Sequence, residues 1–144
     1  MEFKRIKAVR EDHDLTQVEI ANLLHINRSA YSLWELGINT IPLNNLNDFC
    51  NIFDLSLDYV LEITNVKNYT FANKEINRGI LSKRLKEIRK KEKKTQIDIA
   101  QLLNTTHSTW SAYENNKVLI PTIFIWKFAK EYNCSVDWLC GRIN

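Results

Sequence analysis

The sequence predicts an all-α protein folded as two small helical domains in tandem, and three observations carry that prediction. Gly (3) and Pro (2) are scarce among 144 residues, while helix formers such as Leu, Ile, Lys and Glu abound. The chain matches itself without a gap when shifted by 79 residues: of the 60 positions from 4 to 63, 18 are identical. Within each copy, apolar residues recur at helical spacing between residues that cap helix ends. Two copies of so long a period are too few for a solenoid, so each copy is a small domain. The expected domains are residues 1–64 and 81–144, with the unmatched stretch 65–80 as a linker.

Each copy reads as five helices. The first runs over about 4–13, with Ile6 and Val9 inward, and over about 82–92 in copy two, with Leu85 and Ile88 inward. Thr16 and Thr95 then stand as N-caps, each followed three residues later by an acid, Glu19 or Asp98. The second helix reads QVEIANLL or QIDIAQLL, with Val18, Ala21 and Leu24 as the expected inward stripe and Ile20 beside it. Ala21 and Ala100 are small enough to let another helix approach. After a break of three residues, HIN or NTT, a third helix reads RSAYSLWE or HSTWSAYE. Tyr31 and Trp34, like Trp110 and Tyr113, sit three apart and face inward, which turns positions 28, 29, 32 and 33 outward. Pro42 and Pro121 open the region of a fourth helix, about 44–53 and 122–132. Ser56 and Ser135 cap a short fifth, SLDYVLE or SVDWLCG.

Composition narrows the function classes. No apolar run approaches the roughly 20 residues of a membrane span, and the basic start MEFKRIKAVRED lacks the apolar core of a secretory signal. Cys50, Cys134 and Cys140 have no metal spacing and read as reduced packing thiols, which suits a cytoplasmic protein. No phosphate-binding Gly loop, zinc motif or nucleophile elbow is present, so neither an enzyme, a cofactor nor a metal is expected. Asp58 and Asp137 recur with the fold and are expected to cap helices. Charge is divided unequally. Residues 1–63 hold five basic and ten acidic side chains, net −5, whereas residues 64–144 hold fifteen and seven, net +8. An anionic partner should prefer the C-terminal half.

A capped helix, a three-residue turn and a second short helix make a helix-turn-helix. With TQxxIAxLL, then S-x-x-S-x-x-E, then IP, and last a helix such as SVDWLCG, each copy resembles the Cro/C1 (Xre-type) family of phage and bacterial repressors. The resemblance implies two lambda-repressor-like five-helix domains that bind double-stranded DNA, and a sequence-specific, repressor-like transcription regulator. It implies that the second motif helix lies in the major groove. Family members are commonly dimeric, so a homodimer is one expectation, and a single chain whose two heads mimic one is another.

Carried over by position, the resemblance assigns Gln17 and Gln96 to hold a phosphate or a neighbouring recognition residue. It assigns Arg28, Ser29, Ser32 and Leu33, and His107, Ser108, Ser111 and Ala112, to base reading. Asn115 and Lys117 match a backbone-contacting segment. Arg10 with Glu35, and Arg89 with Glu114, match a structural salt bridge. Two departures stand out. His25 and Asn104 occupy a turn position that often carries Gly, where a left-handed backbone is required. Copy one has Leu36-Gly37-Ile38 where copy two has Asn115-Asn116-Lys117, which removes its expected phosphate contacts. Apolar Leu33, Leu36 and Ile38 and the acidic balance support a rival reading for copy one: a protein-interaction or dimerisation module, as in an antitoxin-like regulator.

Overall fold

The computed structural model describes residues 2–144, and the described residues form ten α-helices. They divide into two compact units between Thr70 and Phe71. Unit 1 holds α1 (Lys4–Asp12), α2 (Gln17–Leu23), α3 (Arg28–Glu35), α4 (Leu43–Phe53) and α5 (Leu57–Val60). Unit 2 holds α6 (Arg78–Lys91), α7 (Gln96–Leu102), α8 (His107–Glu114), α9 (Thr122–Glu131) and α10 (Val136–Leu139). The bounds of α2, α3 and α5 recur 79 residues later without change.

The helices start where the sequence supplies caps. Thr16 and Thr95 each close a reciprocal capping box. The Glu19 amide donates to Thr16 Oγ1 (3.1 Å) and the Thr16 amide to Glu19 Oε1 (3.1 Å). Asp98 and Thr95 exchange the same two bonds at 3.1 and 2.8 Å. Asn27 and Thr106 cap α3 and α8, and Ser56 and Ser135 cap α5 and α10. Each cap satisfies an amide that the helix itself leaves without a partner.

The helices end on a second repeated device. Five left-handed residues in unit 1, at Asp14, His25, Gly37, Asp54 and Glu62, recur 79 positions on at Lys93, Asn104, Asn116, Asn133 and Gly141. His25 (φ 57°) and Asn104 (φ 56°) thus adopt the conformation the helix-turn-helix turn demands. At Gly37 the absent Cβ also leaves room: an added one would lie 2.9 Å from the Cβ of Glu2.

The same positions fill both cores. Ile6, Ile20, Tyr31, Leu46, Phe49 and Leu57 are buried in unit 1, as are Leu85, Ile99, Trp110, Ile125, Phe128 and Val136 in unit 2. The expected stripe of the second helix needs correction. Ile20, Ala21 and Leu24 are buried, but Val18 is 52% exposed and its equivalent Ile97 53%. At 100° per residue, Val18 lies about 110° around α2 from the middle of the arc those three define. Half-buried Gln17 takes the fourth place on that face, and its amide bonds Glu35 beneath the motif. Ile88 is only half-buried.

The expected 65–80 linker is mostly part of the two domains. The Ser56 amide donates to the Lys67 carbonyl (2.6 Å), Ser56 Oγ to the Val66 carbonyl (3.0 Å), and the Tyr69 hydroxyl to Asp58 Oδ2 (2.8 Å). On the other side, the Asn73 amide donates to the Arg142 carbonyl (2.7 Å) and the Asn77 amide to the Cys140 carbonyl (2.8 Å). Helix α6 starts at Arg78, earlier than the expected 82, because Asn77 Oδ1 caps it at the Ile80 amide (3.0 Å). Only Thr70, Phe71 and Ala72 lie between these ties, and Phe71 is 99% exposed. Asp58 and Asp137 are not N-caps, a role the serines fill. Asp58 takes the Tyr69 hydroxyl, and Asp137 Oδ1 pairs with Arg142 Nε at 3.2 Å. Both are buried and hold the segment that follows the last helix.

A candidate nucleic-acid interface

Beneath each helix-turn-helix lies a buried ion pair. Arg10 Nε and Nη2 meet Glu35 Oε2 and Oε1 at 2.7 and 2.9 Å, and Arg89 meets Glu114 in the same fork at 2.6 and 3.0 Å. The third guanidinium nitrogen donates to a carbonyl in the loop before α2 or α7: Leu15 at 2.8 Å, Lys94 at 2.9 Å. One arginine therefore ties the first helix, the loop and the end of the third. Gln17 Nε2 adds a bond to Glu35 Oε1 (3.1 Å), and Gln96 Nε2 one to Glu114 Oε1 (3.2 Å). Trp110 Nε1 also donates to Glu114 Oε2.

These donors decide the charge state. Burial alone would raise Glu114, but the bonds from Arg89, Gln96 and Trp110 outweigh it and hold the carboxyl below its ordinary 4.5. In unit 1 burial is likewise outweighed at Glu35, where Arg10 and Gln17 donate. Burial and the neighbouring Glu35 carboxylate push the Tyr31 phenol up, so it stays neutral.

The outward faces of α3 and α8 carry the expected reading residues. Arg28 and Ser29, and His107 and Ser108, are exposed. Ser32, Leu33, Ser111 and Ala112 are half-exposed one turn further on. In copy two, His107 Nε2 bonds Gln96 Oε1 at 2.7 Å, so Gln96 links the buried ion pair to the first residue of α8. Asn115 Nδ2 donates to Ser111 Oγ (3.0 Å), which leaves the serine proton directed away from that bond. In copy one Ser29 donates to the Asn27 cap (3.0 Å) and Ser32 to the Ser29 carbonyl (3.2 Å); in copy two Ser108 Oγ likewise lies 3.3 Å from the Thr106 cap hydroxyl.

Beyond α3 and α8 the backbone is shared and the side chains are not. The Lys117 amide returns to the Ala112 carbonyl (2.9 Å) and the Ile38 amide to that of Leu33 (3.0 Å). This loop presents Asn115 and Lys117 in copy two but Leu36 (65% exposed) and Ile38 (67%) in copy one.

One structural pair escaped the sequence reading. Arg5 Nη1 donates to the carbonyls of Tyr59 (2.6 Å) and Thr64 (2.7 Å) with its guanidinium 4.3 Å above the Tyr59 ring. Its equivalent Arg84 donates to those of Trp138 and Ile143 (3.1 Å) and lies 4.5 Å above the Trp138 ring. The identity of Arg5 and Arg84 across the repeat, each matched to an aromatic at 59 or 138, was the available signal.

Comparison with known proteins agrees with this geometry. Residues 6–60 match a family described as helix-turn-helix, and residues 82–142 match one described as a helix-turn-helix domain. An uncharacterised HTH-type transcriptional regulator of Bacillus subtilis (strain 168), YqaE, is 39% identical over 59 residues, 41% of this chain and 51% of its own length. Another from the same organism, YobD, is 31% identical over 64 residues, 44% of this chain and 57% of its own. Antitoxin PezA of Streptococcus pneumoniae serotype 4 (strain ATCC BAA-334 / TIGR4) is 36% identical over 53 residues, 37% of this chain and 34% of its own length. The chain thus spans from 34% to 57% of the length of these relatives. No solved structure matches it. With one domain match in each half and the motif geometry repeated, the chain carries two helix-turn-helix domains in tandem, one from each of two helix-turn-helix families.

Proposed function

We propose that the protein is a sequence-specific binder of double-stranded DNA that regulates transcription, with the C-terminal domain as its principal reading head. The observation that carries this is the face of α8. His107, Ser108 and Ser111 are presented together on a helix held by a buried ion pair, and Asn115 and Lys117 flank it. Amides and a lysine at that edge neutralise and orient phosphates, while the helix face meets base edges. Relatives with HTH-type regulator names support the same reading. A regulator of this class acts where the DNA is, in the bacterial cytoplasm.

The test is a gel shift against genomic fragments, followed by titration at several salt concentrations. Retarded fragments whose affinity falls steeply with salt are expected. No retarded fragment at low salt overturns the reading. Selection from a random DNA pool then reports the number of heads, since a two-headed chain and a homodimer carrying four select sites of different length and symmetry.

A second reading holds for unit 1 alone. Leu36 and Ile38 stand exposed where unit 2 has polar groups, and an antitoxin is among the relatives. Unit 1 on this reading is a protein-contact or dimerisation domain. Its test is sedimentation of the chain before and after Leu36→Asn with Ile38→Lys; a dimer that dissociates supports it, and unchanged mass rejects it as the dimer contact.

A further inference from the structure

We propose that Gln96 fixes the tautomer of His107, so that α8 presents a hydrogen-bond acceptor, His107 Nδ1, at its first residue and selects a base bearing an exocyclic amine, adenine or cytosine. The inference rests on the DNA-binding reading above and adds the chemistry of one base position.

Glu114 is ionised beside Arg89, so both of its oxygens only accept. Gln96 lies 3.2 Å from Glu114 Oε1 and must turn its NH2 group to it, since the opposite amide orientation would set oxygen against oxygen. The carboxamide oxygen of Gln96 therefore points the other way, to His107 Nε2 at 2.7 Å. An oxygen with no proton needs a donor there, so the imidazole carries its proton on Nε2. In the neutral ring the other nitrogen is then an acceptor. His107 is exposed, and Nδ1 has no hydrogen-bond partner among the described residues.

In the major groove the amine groups are N6 of adenine and N4 of cytosine, while guanine shows two acceptors, O6 and N7. An acceptor nitrogen matches the first two and opposes the third. Copy one makes the contrast. The same Gln17–Glu35 bond is present (3.1 Å), but position 28 is Arg, whose guanidinium only donates. The two heads thus bring opposite hydrogen-bond polarity to equivalent positions. Gln96 is a positioning residue in this scheme, acting on the base through His107.

Two measurements on the full chain test it. The first is a long-range 1H–15N spectrum of 15N-histidine-labelled protein at about pH 8.5, where an ordinary imidazole is neutral. His107 is expected as the Nε2–H form, and as a mixture of both tautomers in Gln96→Ala. A wild-type His107 protonated on Nδ1, or one that Gln96→Ala leaves unchanged, overturns the proposal. The second is selection from a random DNA pool at the same pH by the wild type and by His107→Arg. The position whose preference changes between them is the one His107 meets. The wild type should favour adenine or cytosine there by roughly ten-fold, and His107→Arg should favour guanine. Guanine preferred by the wild type, or no position that changes, overturns it. A pool that yields no enriched sequence overturns the DNA-binding reading itself, and the base preference with it, even where the spectrum shows the Nε2–H form.

Discussion

The two domains share a skeleton and differ on the surface that would face DNA. Caps, left-handed turns, buried forks and core positions recur at a spacing of 79 residues. The outer face diverges. Copy two pairs His107 with Gln96 and Ser111 with Asn115, while copy one bonds Ser32 back to the Ser29 carbonyl and follows α3 with exposed Leu36 and Ile38. With the boundary at residue 70, unit 1 has a net charge of −4 and unit 2 of +7. Fold and recognition are therefore separable here. The buried forks and the glutamines that bond them are identical in both copies, the core and cap positions keep their chemical type, and the edge beyond α3 and α8 does not.

The largest effect should come from breaking what the copies share. Removing one partner of a buried ion pair costs about 3–5 kcal/mol, which is comparable with the whole stability of a core of this size. Glu114→Ala should unfold unit 2 and Glu35→Ala unit 1, each leaving the other domain's transition in place, as differential calorimetry would show. Melting like the wild type would mean that the pair is dispensable. The pH dependence shares this origin. Both carboxyls titrate below 4.5 in the folded chain, so their contribution is complete above that pH and fades as pH falls through the folded values. Denaturant midpoints measured down the pH scale should decline from about that point in both domains.

A smaller effect should separate reading from positioning within copy two. Ser111→Ala is expected to change base preference by about 1–3 kcal/mol at one or two pairs. Lys117→Ala should weaken every sequence alike and flatten the salt dependence by about one unit. Equal losses on all sequences for both variants would remove α8 from the groove. The converse experiment transfers the difference: Leu36→Asn with Ile38→Lys gives copy one the polar edge of copy two. The double variant should bind with a salt slope steeper by roughly 0.9 for the one lysine added, and an unchanged slope would mean that copy one does not approach DNA.

The smallest effect concerns where the copies part. A C-terminal fragment starting at residue 71 keeps the Asn77 cap of α6 and the Asn73–Arg142 bond, whereas one starting at 81 loses both. The longer fragment should be more stable by about 0.5–2 kcal/mol from the cap alone. Brief chymotrypsin treatment of the full chain should cut after the exposed Phe71 and release two folded halves. Cleavage dispersed through 64–80 would restore the longer linker.

The repeat and the capped helices were legible in the sequence, because caps follow local rules and identities survive a shift of 79, and the two ion pairs were implied by the family resemblance. Thr16 and Glu19 cap a helix through bonds three residues apart, and Asn104 tolerates the left-handed turn wherever that turn occurs. What depends on distant partners emerged only once the helices had packed. Val18 is apolar and helical yet exposed, because the inward face of α2 is set by what α3 offers, and α3 offers Glu35 to Gln17. Residues 65–69 look like a linker in sequence, since they have no repeat partner and no periodicity; they belong to unit 1 because Ser56 and Asp58 accept or donate across ten or eleven positions to hold them. The tautomer of His107 is likewise invisible in the sequence. It follows from a proton order running from Arg89 through Glu114 and Gln96, residues that meet only when the first, second and third helices of the domain close on one another.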